Sequence, residues 1–126
     1  MAVTRRIDKH LVWLESDEQA TFDEWIGALN EAAAQPEWHP GMCVIHDARR
    51  MARVPSQAEA ESRGPFVSRR TRALGIERWA AVVSTAGAPE GALQLAALFA
   101  DREAGWCRVF TDFAEAEAWA RREAQV

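Results

Sequence analysis

Residues 42–46, MCVIH, form a continuous apolar run with β-branched members, opened by Pro40-Gly41 and closed by Asp47. Such a short run reads as a central strand covered on both faces, since a half-exposed strand would alternate apolar with polar residues. A strand of that kind needs layers packed against it, and the flanking segments have the pattern of helices. Thr21 and Glu24 have capping-box spacing, and Phe22, Trp25, Ile26, Leu29 and Ala33 recur at helical intervals. Downstream, Ser56 and Glu59 form a second capping box, and a helix is predicted from there to about Leu74, broken or kinked at Gly64-Pro65.

The same logic extends to both ends. Residues 3–7 and 11–15 flank Asp8-Lys9-His10 and read as an antiparallel hairpin. Residues 79–84, WAAVVS, are the next strand. A helix opens near Pro89, with Leu93, Ala96, Ala97 and Ala100 inward, and ends before Gly105. A strand over 106–111 leads to a final helix begun by Asp112 and Glu115, with Phe113, Ala116, Trp119 and Ala120 facing the core. The predicted order is β-β-α-β-α-β-α-β-α, an α/β fold with a mostly parallel mixed sheet, an N-terminal hairpin and right-handed crossovers.

The 126 residues are expected to be one domain, 1–126, able to bury about two-thirds of the unfolded chain's surface. No apolar run approaches the roughly 18 residues that would predict a membrane span, and MAVTRRIDKH lacks the apolar region of a secretory signal. Cys43 and Cys107 sit far apart in strand-like runs with no ligand spacing, so two reduced, buried thiols in a cytoplasmic protein are expected. The net charge is -4, yet residues 47–78 carry eight arginines against four carboxylates, leaving -8 on the remainder. Phe66 is the only aromatic residue in that basic stretch, which argues against a nucleic-acid platform.

Candidate site residues cluster after the central strand, where a strand hands a polar loop to a helix N-terminus. Asp47 can anchor the loop through backbone N–H groups, pair with Arg49 or Arg53, or act as a catalytic carboxylate; anchoring is favoured because no second carboxylate lies nearby in sequence. Arg49 and Arg53 have the chemistry to hold a phosphate or an acidic partner, whereas Arg50 reads as solvated. Ser56 reads first as an N-cap and second as an anion contact. His46 and Asp47 are adjacent in a strand, so they point to opposite faces and cannot form a triad pair. A metal site from His10, His39, His46 and Cys43 has no recognised spacing and is not expected. No nucleotide-binding glycine motif occurs in residues 85–91, and no cofactor is expected. Of the six tryptophans, Trp25, Trp79, Trp106 and Trp119 fall on core positions. Trp13 and Trp38, if exposed together, would mark a dimer or partner surface.

Four strings, TFDEWIGALNEAAAQPEWHPGM, CVIHDAR, RWAAVVST and CRVFTDFAEAEAWA, cover much of the chain. In them the sequence resembles the SpoIIAA-like family of small bacterial proteins, within the STAS superfamily of anti-sigma factor antagonists. The resemblance implies that fold and a regulatory role through protein–protein contact. It also implies a D-S-S-G run at the helix start whose second serine is phosphorylated. Here Ser56 falls on the first serine, Gln57 on the acceptor and Ala58 on the glycine, so phosphorylation at that position is impossible. The family's likeness to the CRAL-TRIO lipid-binding fold implies that a small apolar ligand is to be considered.

The expectation is therefore a non-enzymatic cytoplasmic module that binds an unknown protein partner or itself as a homodimer. Asp47, Arg49, Arg53 and Ser56 would form the partner- or anion-binding surface. The alternative is a small-ligand or lipid-binding protein with an apolar pocket near Gly64-Pro65.

Overall fold

The structure is a computed structural model that describes residues 3–51, 57–84 and 107–124. Its elements are β1 (Val3–Asp8), β2 (Leu11–Ser16), α1 (Phe22–Ala33), β3 (Cys43–Asp47), α2 (Gln57–Ala73), β4 (Arg78–Val82), β5 (Cys107–Phe110) and α3 (Phe113–Ala124). The predicted loop and helix between β4 and β5 lie outside the described residues.

The strands form one sheet in the order β1-β2-β3-β4-β5. β1 pairs antiparallel with β2 across the two-residue turn Lys9-His10, and every later pair is parallel. Side chains alternate between faces along each strand, so the register sorts the core into two halves. Val12, Leu14, Val44, Trp79 and Ala81 share one face with Trp25 and Leu29 of α1 and Val67 of α2. Leu11, Cys43, Ile45, Ala80 and Val82 share the other with Ala116, Trp119 and Ala120 of α3. Sequential parallel strands joined by right-handed crossovers carry their helices to one face. Helix α3 closes the other. β3 is buried along its whole length, as its unbroken apolar run predicts.

α1 begins as its sequence dictates: Thr21 Oγ1 accepts from the Glu24 N–H at 3.2 Å, and Glu24 Oε1 accepts from the Thr21 N–H at 3.1 Å. At the start of α3 the Asp112 carboxylate accepts from the Glu115 N–H at 3.2 Å. α2 corrects the expectation of a break at Gly64-Pro65. It runs unbroken from Gln57 to Ala73 with Pro65 inside it. Pro65 is exposed while Gly64, Val67 and Thr71 form the buried stripe. The ring therefore projects into solvent, where water can satisfy the carbonyl deprived of its donor.

The end of α2 is closed by a glycine. Gly75 has φ 72°, its N–H donates to the Arg72 carbonyl and the Ile76 N–H to the Thr71 carbonyl, both at 3.1 Å. This is a Schellman closure, completed by burial of Ile76. A Cβ on Gly75 would lie 3.1 Å from the Pro40 Cα and Cβ atoms. Gly75→Ala is therefore expected to destabilise the fold by about 1–3 kcal/mol, measured by urea unfolding. An unchanged midpoint would mean that the loop carrying Pro40 gives way freely.

Candidate functional site

The parallel strands β2, β3, β4 and β5 all end at one edge of the sheet, the edge at which open α/β folds build sites. There β3 delivers His46 and Asp47 to opposite faces. His46 points toward α1 and is 2% exposed. Its Nε2 lies 2.9 Å from Ser16 Oγ, and its ring is tilted against Trp25 at 5.2 Å between centroids. Burial pushes its pKa down to about 3, against a smaller opposing pull from the Asp47 charge. At neutral pH His46 is an uncharged core side chain. Ser16 follows Val12 and Leu14 in the inward alternation of β2, and that period of two is the signal that would have assigned it to His46.

Asp47 faces α3. Its Oδ1 accepts from the Arg49 backbone N–H at 3.2 Å and from Arg49 Nε at 2.9 Å, and its Oδ2 accepts from Arg49 Nη2 at 2.7 Å. Burial alone would raise the carboxyl pKa, but the Arg49 side chain, its backbone N–H and its charge together bring it below the usual value. The carboxylate raises the Arg49 pKa in turn, chiefly through the side-chain hydrogen bond. Asp47 thus anchors the loop and pairs with Arg49 at once. Bidentate contact fixes the guanidinium plane, and the Arg49 Cζ lies 5.2 Å from the centre of the Phe113 ring at the start of α3. Arg49 remains half-exposed over this support, with Asp47 beneath it. Arg50 turns away to Glu18 at 3.1 Å and Glu15 at 3.7 Å, exposed at both ends. Arg53 and Ser56 lie outside the described residues, so the clasp brings together two of the four predicted site residues.

A cleft of about 260 Å³ adjoins the clasp, lined among others by Thr4, Arg6, Trp13, Glu15, Asp47 and Phe113. It exists because α3 packs over β3, β4 and β5 and leaves the β1–β2 end of that face open. Trp13 forms its floor: buried, donating from Nε1 to Glu117 at 3.1 Å, with Arg6 Cζ 3.9 Å over its ring. Trp38 is half-buried and donates to the Leu74 carbonyl at 3.1 Å. The two tryptophans therefore do not form an exposed pair. Arg6, Glu15 and Phe113 went unassigned to the site by sequence because they come from three elements whose adjacency only the register reveals.

Neither Cys43 nor Cys107 is in a disulfide. They belong to opposite faces of the sheet, and burial pushes the Cys107 thiol up to about 12, which leaves it a poor nucleophile at neutral pH. Among the described residues, no group of three or more His, Cys, Asp or Glu side chains could hold a metal ion, and no helix is long and apolar enough to cross a membrane.

Among the described residues, fold and site together define an α/β protein with a five-stranded mixed sheet and three helices. Comparison with protein-family models, with curated proteins and with solved structures finds no match in any of the three.

Proposed function

We propose that this chain is a non-enzymatic recognition module of the SpoIIAA-like type, acting through contact with a protein partner. Its recognition surface is formed by Asp47 and Arg49, with Arg53 and Ser56 the further candidates along the sequence. One observation carries this reading: a cleft beside a rigid, half-exposed ion pair. Both Asp47 oxygens are engaged by Arg49, so the carboxylate is spent on holding an arginine in place and is poorly disposed to move protons. Arginine and aromatic side chains fixed at a cleft are the usual anchors of protein interfaces. At about 260 Å³ the cleft falls just below the range of about 300–1,000 Å³ typical of small-molecule sites. It suits one or two side chains of a partner better than a whole ligand.

A second copy of the chain is one such partner, and the SpoIIAA-like resemblance favours a regulatory one. The experiment is affinity capture combined with mass in solution, for the wild type and for an Arg49→Ala, Arg53→Ala double variant. The expected result is a partner, or a dimer mass, present with the wild type and reduced at least about tenfold in the variant, as for loss of an interface anchor. Identical partners and identical mass in both would overturn the assignment of this surface.

A further inference from the structure

At the opposite end of the parallel strands the fold brings together two histidines that lie 29 positions apart in sequence. His10 Nδ1 is 3.2 Å from His39 Nε2, and the rings meet at 88° with centroids 5.0 Å apart. His39 Nδ1 is 2.8 Å from the Pro40 carbonyl oxygen, and its Nε2 is 3.3 Å from the Lys9 carbonyl oxygen. A carbonyl oxygen only accepts and a neutral ring has one N–H, so of these two contacts the shorter one assigns the proton of a neutral His39 to Nδ1 and leaves the lone pair on Nε2. That lone pair converges with the Lys9 oxygen and His10 Nδ1. An imidazole that donates its far N–H to a carbonyl while presenting the other nitrogen is oriented as metal-binding histidines are.

The distances agree with that use. A tetrahedral ion with bonds of about 2.0–2.1 Å holds neighbouring donor atoms about 3.3 Å apart, against the observed 3.2 and 3.3 Å. Lys9 has a positive φ of 56°, as a two-residue hairpin turn requires of its first residue, so the turn itself sets where the Lys9 carbonyl lies.

We propose that His10 Nδ1, His39 Nε2 and the Lys9 carbonyl oxygen bind one divalent first-row transition-metal ion, Zn²⁺ or Cu²⁺, with water completing the coordination. Two imidazoles and a carbonyl suit these ions and not Mg²⁺ or Ca²⁺, which take all-oxygen sets. Without metal, His10 donates its Nδ1–H to His39. On binding, that proton passes through solvent to His10 Nε2, which frees the Nδ1 lone pair for the ion. The ion would tie the β1–β2 turn to the loop leading into β3, two segments already joined by the Cys43 N–H to His10 carbonyl bond at 2.8 Å.

The test is titration of Zn²⁺, and separately Cu²⁺, into the full chain free of affinity tags, followed by calorimetry and thermal unfolding. Equimolar binding and a raised unfolding temperature are expected. His10→Ala and His39→Ala should each weaken binding by more than about tenfold; His10 is exposed and His39 half-buried, and circular dichroism of both variants is to show that they fold. Cys107→Ser should leave binding unchanged. Cu²⁺ electron paramagnetic resonance should show two coordinated imidazole nitrogens in the wild type and one in each His variant. Failure of both ions to bind at millimolar excess, or binding that survives both His replacements, would overturn the site.

Discussion

Acidification from pH 6.5 toward 3 is expected to remove several kcal/mol of folding stability through His46 alone. The unfolded chain carries His46 at its ordinary value of 6.5, whereas the folded chain holds it near 3. Between those values the unfolded state binds a proton that the folded state refuses, so stability falls as pH falls, at about 1.4 kcal/mol per pH unit. Asp47 acts in the same direction at lower pH: its depressed pKa gives stability that is present above the usual carboxylate value and lost as pH drops through the folded one. Urea unfolding between pH 6.5 and 4.5 isolates the histidine, and His46→Gln should flatten the profile in that window. A wild-type profile already flat there would show that His46 accepts a proton in the folded chain.

Trp25→Ala is expected to destabilise the protein by about 3–5 kcal/mol, the range for deleting a large buried aromatic side chain. Trp25 is 2% exposed and joins three packed rings, with Trp79 at 5.1 Å, His46 at 5.2 Å and Phe22 at 5.8 Å between centroids. It is the point at which α1 grips the sheet. Chemical denaturation of Trp25→Ala beside Trp38→Ala makes the comparison, since Trp38 is only half-buried and should lose less. Equal losses at the two positions would mean that α1 is not anchored through this cluster.

The elements were legible wherever a local pattern sufficed. The apolar run at residues 42–46 announces a doubly covered strand, Thr21 with Glu24 announces a helix start, and Asp112 with Glu115 announces another; each is found. The break expected at Pro65 is absent because propensity counts the lost donor and not its placement. On the solvent side of α2 the missing hydrogen bond is replaceable by water, and the buried stripe of Gly64, Val67 and Thr71 lies on the other side. The separation of His46 from Asp47 followed from strand alternation, and Asp47's two sequence neighbours at Arg49 and Arg50 split between loop clasp and surface pairing, which no local pattern distinguishes. The cleft was not legible at all. It depends on which strands α3 leaves uncovered, and so on the order of strands in the sheet. The meeting of His10 with His39 depends likewise on the β1–β2 turn lying beside the lead-in to β3.

The central claim is that the Asp47–Arg49 clasp and the cleft beside it form the contact surface, and hydrogen exchange of the wild-type chain, alone and in complex with a captured partner, tests it most directly. The account predicts new protection over residues 47–51, at Trp13 to Glu15 and at the start of α3. Protection confined to α2, with those three segments exchanging as in the free chain, would contradict it.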